Sequence, residues 1–468
     1  MPATIDPTSL AFLLAENRNQ PMHVAGLQLF EPPPEAGPEI ARELYESALA
    51  ITDVAPLFKK RPFQSIGTLG QWVWTEDKQF DIEHHVRHSA LPQPGRIREL
   101  LELVSRLHGT MLARDRPLWE AHIIEGLGDG RIALYTKLHH ALVDGISAMK
   151  LMQSALSTDP DRRDMPLPFA ERAPSRARKE RSAAESGLGE IPMDALRTAF
   201  GLTADAAGLP AALVRTLAKG VRNEASALSF YAPRSIFNVS ITGSRRFAAD
   251  DWPLDRLRAI SQASRTTLND VVLAMCGGAV RAYLLELNSL PDASLVSMVP
   301  VGLKSRSAVS ESGGGGNAVG SVMVKLGTDL EDPADRLAAI HASMRAGKSA
   351  LESMTPNQIV AMSALGMTPS LVIPMLRLNG IVRPPFNLII SNVPGPRSVQ
   401  YVNGARLTGS YPVSVPMQGM ALNITCNSYA DDMCFGLTGC RRTVPHLQRL
   451  LTHLDDELNA LEKAVGVG

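Results

Sequence analysis

Seven residues, His139-His140-Ala141-Leu142-Val143-Asp144-Gly145, constrain this chain more than any other stretch. Residues 131–138 ahead of them read as a buried strand, and residues 146–152 after them have helical spacing. Successive strand side chains point to opposite faces, so His139 and His140 cannot both serve one site. One is expected to face a cavity while the other packs behind it. Asp144 is a suitable N-cap for the following helix, and Gly145 is expected to let backbones approach closely. A histidine pair alone is more often structural than catalytic. The complete His-His-x-x-x-Asp-Gly pattern, set at a strand-to-helix junction, favours a catalytic base.

The pattern resembles the acyl-CoA-dependent acyltransferase superfamily that includes chloramphenicol acetyltransferase and peptide-synthetase condensation domains. Other stretches narrow the resemblance to the bacterial bifunctional wax ester synthase/diacylglycerol acyltransferases. They are Pro21-Met22-His23-Val24, Arg116-Pro117-Leu118-Trp119-Glu120, Leu268-Asn269-Asp270-Val271-Val272 and Asn392-Val393-Pro394-Gly395-Pro396. They follow the family's order along nearly the whole chain, and only residues 160–235 lack a matching motif. The resemblance implies two chloramphenicol-acetyltransferase-like α/β domains with mixed sheets and an active-site channel between them. It implies transfer of a fatty acyl group from acyl-CoA to a long-chain fatty alcohol, giving wax ester, and also to diacylglycerol, giving triacylglycerol. Neither a metal nor a bound cofactor is called for, since acyl-CoA is a co-substrate. Which residues would hold CoA stays open.

At 468 residues the chain is too long for one ordinary core, so two domains are expected. The first spans 1–160 and carries the histidine motif, and the second spans 236–468. Between them, residues 161–235 read as a linker followed by a broken helix. Pro166, Pro168 and Pro174 accompany a basic cluster of Arg172, Arg176, Arg178, Lys179 and Arg181 there. Basic and acidic residues both number 47, giving a formal net charge of zero. A global attraction to nucleic acid is therefore not supported, and any anionic partner must be met by a local patch.

The cysteines, Cys276, Cys426, Cys434 and Cys440, form neither a Cys-x-x-Cys pair nor a zinc spacing, and read as free thiols in a reducing cytosol. The first residues, Met1–Asp6, lack the basic-then-apolar order of a signal peptide. The expected location is the cytoplasm, peripherally associated with the inner membrane or with lipid inclusions. The basic stretch would supply the attachment, together with the charge-free segment 353–376. Pro369 and Pro374 argue against that segment forming a single spanning helix.

Acyl transfer from a thioester to a hydroxyl needs one group that takes the hydroxyl proton and returns a proton to the leaving thiolate. An imidazole, with an ordinary pKa of about 6.5, can do both. The resemblance makes His140 that base and gives His139 a supporting role on the opposite face. A Ser-His-Asp relay is a weak reading of Asp144, because no Gly-x-Ser-x-Gly elbow occurs. The resemblance gives it instead a structural ion pair with Lys304 or Arg306, compatible with helix capping.

Asn269, at a helix start, is the candidate donor toward the oxyanion, with plain capping as the alternative. Asp270 is expected to support the interface, and Asn387 and Ser391 to line a substrate channel. Trp119 is expected to be an apolar anchor. Two other functions remain to be weighed. One is a condensation-type acyltransferase acting on carrier-bound acyl groups, disfavoured because no carrier domain is fused here. The other is a non-catalytic lipid-droplet-binding protein, disfavoured by the intact His140 and Asp144.

Overall fold

The computed structural model of the chain describes residues 3–37, 39–68, 70–163, 165–171, 232–302, 319–352, 354 and 383–467. Lys304, Arg306, the five basic residues from Arg172 to Arg181 and nearly all of segment 353–376 lie outside the described residues.

The N-terminal half starts with β1 (Ala3–Thr4), α1 (Pro7–Ala15), β2 (His23–Glu31), α2 (Ile40–Leu49) and α3 (Pro56–Lys59). It continues with β3 (Lys60–Phe63), β4 (Val73–Glu76), α4 (Ile82–His85), β5 (Val86–Ala90) and α5 (Ile97–Gly109). β6 (Trp119–Glu125), β7 (Ile132–His139) and α6 (Gly145–Gln153) complete it. The C-terminal half starts with β8 (Arg245–Pro253), α7 (Leu254–Ala263), α8 (Leu268–Glu286), β9 (Val296–Gly302) and β10 (Val319–Lys325). Then come α9 (Pro333–Glu352), β11 (Leu388–Val393), β12 (Tyr401–Val402) and β13 (Ala405–Val413). β14 (Leu422–Tyr429), β15 (Asp432–Cys440) and α10 (Arg449–Val465) end the chain.

Two six-stranded mixed sheets dominate, as the α/β expectation requires. One has the order β12-β13-β2-β7-β6-β5 and the other β10-β9-β11-β14-β15-β8. The sequence reading places no strand over 401–413, yet these C-terminal residues complete the N-terminal sheet. β13 runs antiparallel to β2, from Arg406 opposite Glu31 to Val413 opposite Ala25. The burial along β13 alternates strictly at its odd-numbered residues, the period of a half-buried strand. Pro412 hides that signal, because proline normally marks the end or edge of a strand. It is tolerated here because β12 pairs only with Ala405 and Arg406, leaving β13 unpaired on that side at Pro412.

The two halves share a core through this exchange. Leu27, Leu29 and Tyr135 of the N-terminal sheet and Leu100 and Val104 of α5 pack with Phe247, Tyr411, Tyr429 and Cys434. The Tyr411 hydroxyl donates to Asp251 on β8 at 2.7 Å, tying the exchanged strand to the second sheet. On the other face of the first sheet, Trp119 is wholly buried with Phe58, Leu138, Leu142 and Met152. Its indole donates to the Phe58 carbonyl at 2.9 Å, so the anchor's one polar group is satisfied.

Helix α8 is the one described helix long and apolar enough to cross a membrane, but most of its residues are packed inside the C-terminal core. In the segment 392–396, Gly395 brings its Cα against the Ser428 carbonyl, and a Cβ there would collide with it. Glycine is therefore a packing requirement of that motif.

Candidate active site

β7 delivers the histidine pair. Its residues 133, 135, 137 and 139 face α5, while Ile132 and Leu138 face the Trp119 core. The strand pairing ends with His23 opposite His139, after which the His140 N–H donates to the Met22 carbonyl at 2.8 Å. His139 is fully buried, and His140, one residue later, is half-buried. The two imidazoles thus stand in different environments.

The ring of His140 stacks on Phe12 of α1, with centroids 4.1 Å apart and planes 17° from parallel. Its Nδ1 is buried and, among the described residues, meets no hydrogen-bond partner of good geometry. Burial holds the imidazole below its ordinary pKa of 6.5, against the opposing pull of its own backbone and of the Asp144 charge. His140 is therefore neutral at pH 7, the form in which one nitrogen can accept a proton.

His139 accepts the Ala141 N–H on its Nδ1 at 3.0 Å. That bond shapes the turn on which His140 sits. Beneath it lies a polar layer on the α5 side of β7. Lys137, wholly buried, stands opposite Glu120 with Nζ 3.1 Å from the carboxylate, and also donates to the Leu107 and Thr110 carbonyls at the end of α5. The His23 Nε2 donates to the His108 carbonyl at 2.7 Å. His108 in turn accepts the Tyr135 hydroxyl at 3.0 Å and donates to the Ser414 carbonyl at 2.9 Å. The Ser414 and Thr425 hydroxyls meet at 2.5 Å, and Thr425 pairs with Ser391 across β14 and β11. Polar contacts thus run from His23, opposite His139 in the first sheet, to Thr425 in the second.

Asp144 caps α6: its carboxylate accepts the Ser147 N–H and hydroxyl, each at 2.8 Å. The ion pair expected with Lys304 or Arg306 falls outside the described residues. Asp144→Ala is expected to lower stability by about 1 kcal/mol, the usual loss of an N-cap. Asp144→Asn, an equally good cap, should leave the melting temperature in place. A drop in Asp144→Asn as deep as in Asp144→Ala would show that charge carries the role. Gly145 departs from expectation. Among the described residues a Cβ there would meet nothing within 4 Å, so none of them makes a close approach that demands glycine at that point.

Asn269 is the second residue of α8, not its cap. Thr267 caps the helix, and Asp270 closes a capping box back onto the Thr267 N–H. Asn269 accepts the Asn392 amide at 3.4 Å, joining the two segments 268–272 and 392–396. Among the described residues no hydrogen bond, ion pair or ring contact links it to His140. Asp270 also receives His341 Nδ1 at 2.8 Å. Asn387 is wholly buried and spends its side chain inside the protein. Its amide donates to the Pro233 carbonyl and Asn238, each at 2.7 Å, and its oxygen accepts the Val296 N–H at 2.8 Å. It holds strands together and presents no free group to a channel. Ser391 is half-buried on β11.

The sequence reading missed Phe12, Glu16 and Arg114. The Asp6-Pro7 cap was a legible start for α1, since Asp6 accepts the Ser9 N–H at 2.9 Å and Pro7 stands in the first turn. Nothing in the local pattern, however, links residues 12 and 16 to residues 139 and 140.

The family model described as the wax ester synthase/diacylglycerol acyltransferase catalytic domain matches residues 5–272, and the WS/DGAT C-terminal domain matches 315–462. A Mycobacterium tuberculosis protein named as a probable diacylglycerol O-acyltransferase is 48% identical over 461 residues, covering 98% of this chain and 99% of that one. A solved wax ester synthase/diacylglycerol acyltransferase from Marinobacter aquaeolei VT8 superposes with a TM-score of 0.78 at 41% identity, covering 99% of this chain and all of that one. The first condensation domain of the CDA synthetase, at 14% identity and a TM-score of 0.54, covers 99% of this chain and 96% of its own, and shares the fold.

Proposed function

The chain belongs to the wax ester synthase/diacylglycerol acyltransferase family, and on that footing we propose that it moves a fatty acyl group from acyl-CoA to the free hydroxyl of diacylglycerol. The 48% identity to a protein named for that activity, over nearly the full length of both, carries the reading. A long-chain alcohol is the second acceptor, favoured by the 41% identity to a protein named as a wax ester synthase as well.

In this reading the hydroxyl proton passes to Nε2 of His140 as the oxygen attacks the thioester carbonyl. Collapse of the tetrahedral adduct expels the CoA thiolate, which takes the proton back from the imidazolium. The products are an ester and the free CoA thiol, and His140 returns to its neutral form. Because burial holds this imidazole below 6.5, the acidic limb of kcat/KM is expected below pH 6.5, with activity flat from there to pH 7.5. A limb centred above pH 7 would count against His140. Thiol release from palmitoyl-CoA, measured with dipalmitoylglycerol, hexadecanol and an amine acceptor in parallel, tests the function. Release with the amine alone would favour a condensation-type enzyme, and no release with any acceptor would favour a binding protein.

The protein's place is proposed to be the cytoplasmic side of a membrane or lipid inclusion, because its acceptors are apolar and its net charge is zero. The basic residues Arg172, Arg176, Arg178, Lys179 and Arg181 would supply the contact, at about 1 kcal/mol each near an anionic surface. Replacing all five with Gln should at least halve binding to phosphatidylglycerol vesicles at low salt. Equal binding would eliminate this stretch as the anchor.

A further inference from the structure

Behind the histidine turn lies a buried ion pair that the chemistry above does not use. Glu16 ends α1, and its side chain has no solvent exposure. Its Oε2 accepts Arg114 Nε at 3.1 Å. The same guanidinium donates to the Leu13 carbonyl at 2.6 Å and the Glu16 carbonyl at 3.4 Å, groups that a helix end leaves without intrahelical partners. The other carboxylate oxygen, Oε1, accepts the Met22 N–H at 3.1 Å and stands 3.4 Å from Nε2 of His139. Burial pushes the Glu16 carboxyl up, but His139, the Met22 amide and Arg114 outweigh it and leave it below the usual carboxylate range.

The bonds around His139 select one of its two neutral forms. Nδ1 accepts the Ala141 N–H, so its proton must sit on Nε2, which faces the Glu16 carboxylate. The alternative tautomer would set an N–H on Nδ1 against the Ala141 N–H. Met22, held by Glu16 through its N–H, holds the His140 N–H through its carbonyl. Phe12, on the helix whose end Arg114 and Glu16 secure, stacks on the His140 ring. Two routes, through Met22 and through the end of α1, therefore lead from this carboxylate to the His140 imidazole.

We propose that Glu16, secured by Arg114, is a positioning residue for acyl transfer: it fixes the Met22 backbone and the end of α1, and through them the ring of His140. This inference rests on His140 being the base. Misplacement of a reacting group by about 1 Å can cost 100-fold in rate, so Glu16→Gln is expected to lower kcat by about 10- to 100-fold. The KM values for acyl-CoA and diacylglycerol should stay within about twofold, since no binding group has been removed.

The test compares Glu16→Gln, Arg114→Gln, His140→Ala and Leu461→Ala for kcat, KM and melting temperature. Leu461→Ala, in the buried face of α10, supplies destabilisation unconnected with the histidine turn. A lowered kcat at unchanged KM in the two clamp variants, with Leu461→Ala keeping its kcat, supports the proposal. Should Glu16→Gln fold poorly, Arg114→Gln serves alone, since that guanidinium is partly exposed. Wild-type kcat in the clamp variants beside an inactive His140→Ala overturns the positioning role and leaves the base standing. Full turnover by His140→Ala removes the base itself, and the positioning role with it.

Discussion

His140→Ala is expected to reduce ester formation by about 100- to 10,000-fold, the range general-base catalysis contributes, while the protein stays folded. The bond that seats residue 140 in the fold runs from its backbone N–H to Met22, and alanine keeps it. What the ring contributes to stability is its stack on Phe12, worth about 0.5–1.5 kcal/mol. His139→Ala should behave in the opposite way. It orphans the buried Ala141 N–H and removes a fully buried ring, so it should cost about 1–3 kcal/mol of stability or more, and lower expression along with turnover. Thiol release and urea midpoints, measured on both variants, separate the two roles. Near-normal turnover in His140→Ala, or an unchanged midpoint in His139→Ala, would break the division of labour between the two residues.

The different surroundings of the two imidazoles were legible because they are local. Strand alternation sets adjacent residues on opposite faces, so a histidine pair at a strand end announces one buried and one more open imidazole. Asp144 was equally legible, since a capping carboxylate three residues before the amide it binds is a short-range pattern. The strand at 131–138 and the helical spacing of 146–152 were readable for the same reason.

Long-range pairing was not readable. β13 carries the right alternation, yet its sheet is decided by β2, nearly four hundred residues earlier in the chain. Asn387 was expected to line a channel because it sits near a strand end. Its buried bonds to Pro233, Asn238 and Val296 come from segments that no local pattern connects. The clamp on His139 failed to announce itself for the same reason, with its members at 16, 114 and 139. The contrast between the two histidines is thus a short-range property of this chain, and the support around them is a property of its tertiary structure.

Buried histidines also set how the protein meets acid, and the effect should be large. Burial pushes His108 down to about 3, although its bond to the Ser414 carbonyl pulls the other way. Burial likewise holds His85 at about 4, against its bond to the Trp119 carbonyl, and holds His23 well below 6.5. In the unfolded chain each imidazole takes a proton near pH 6.5. The unfolded state therefore binds protons that the folded state refuses, and the stability these groups permit is complete above pH 6.5. It is lost as pH falls toward about 4 for His85 and about 3 for His108.

Each contributes about 1.4 kcal/mol per pH unit inside that window, so at pH 5 the two together cost about 4 kcal/mol relative to pH 7. A domain's whole net stability is about 5–15 kcal/mol. Glu120, held at about 2 because His122, Lys137 and Arg87 outweigh its burial, adds to the loss only once pH falls below its unfolded value of 4.5. Asp250 and Glu457, pushed up by burial, work the other way. Urea midpoints between pH 7 and 5 should therefore fall steeply before ordinary carboxylates begin to titrate. His108→Gln should be less stable at pH 7 yet show a shallower slope across the same interval, because one refused proton has been removed. A slope as steep as that of the unaltered protein would mean that His108 is not the neutral, buried group its bonds to Tyr135 and Ser414 describe.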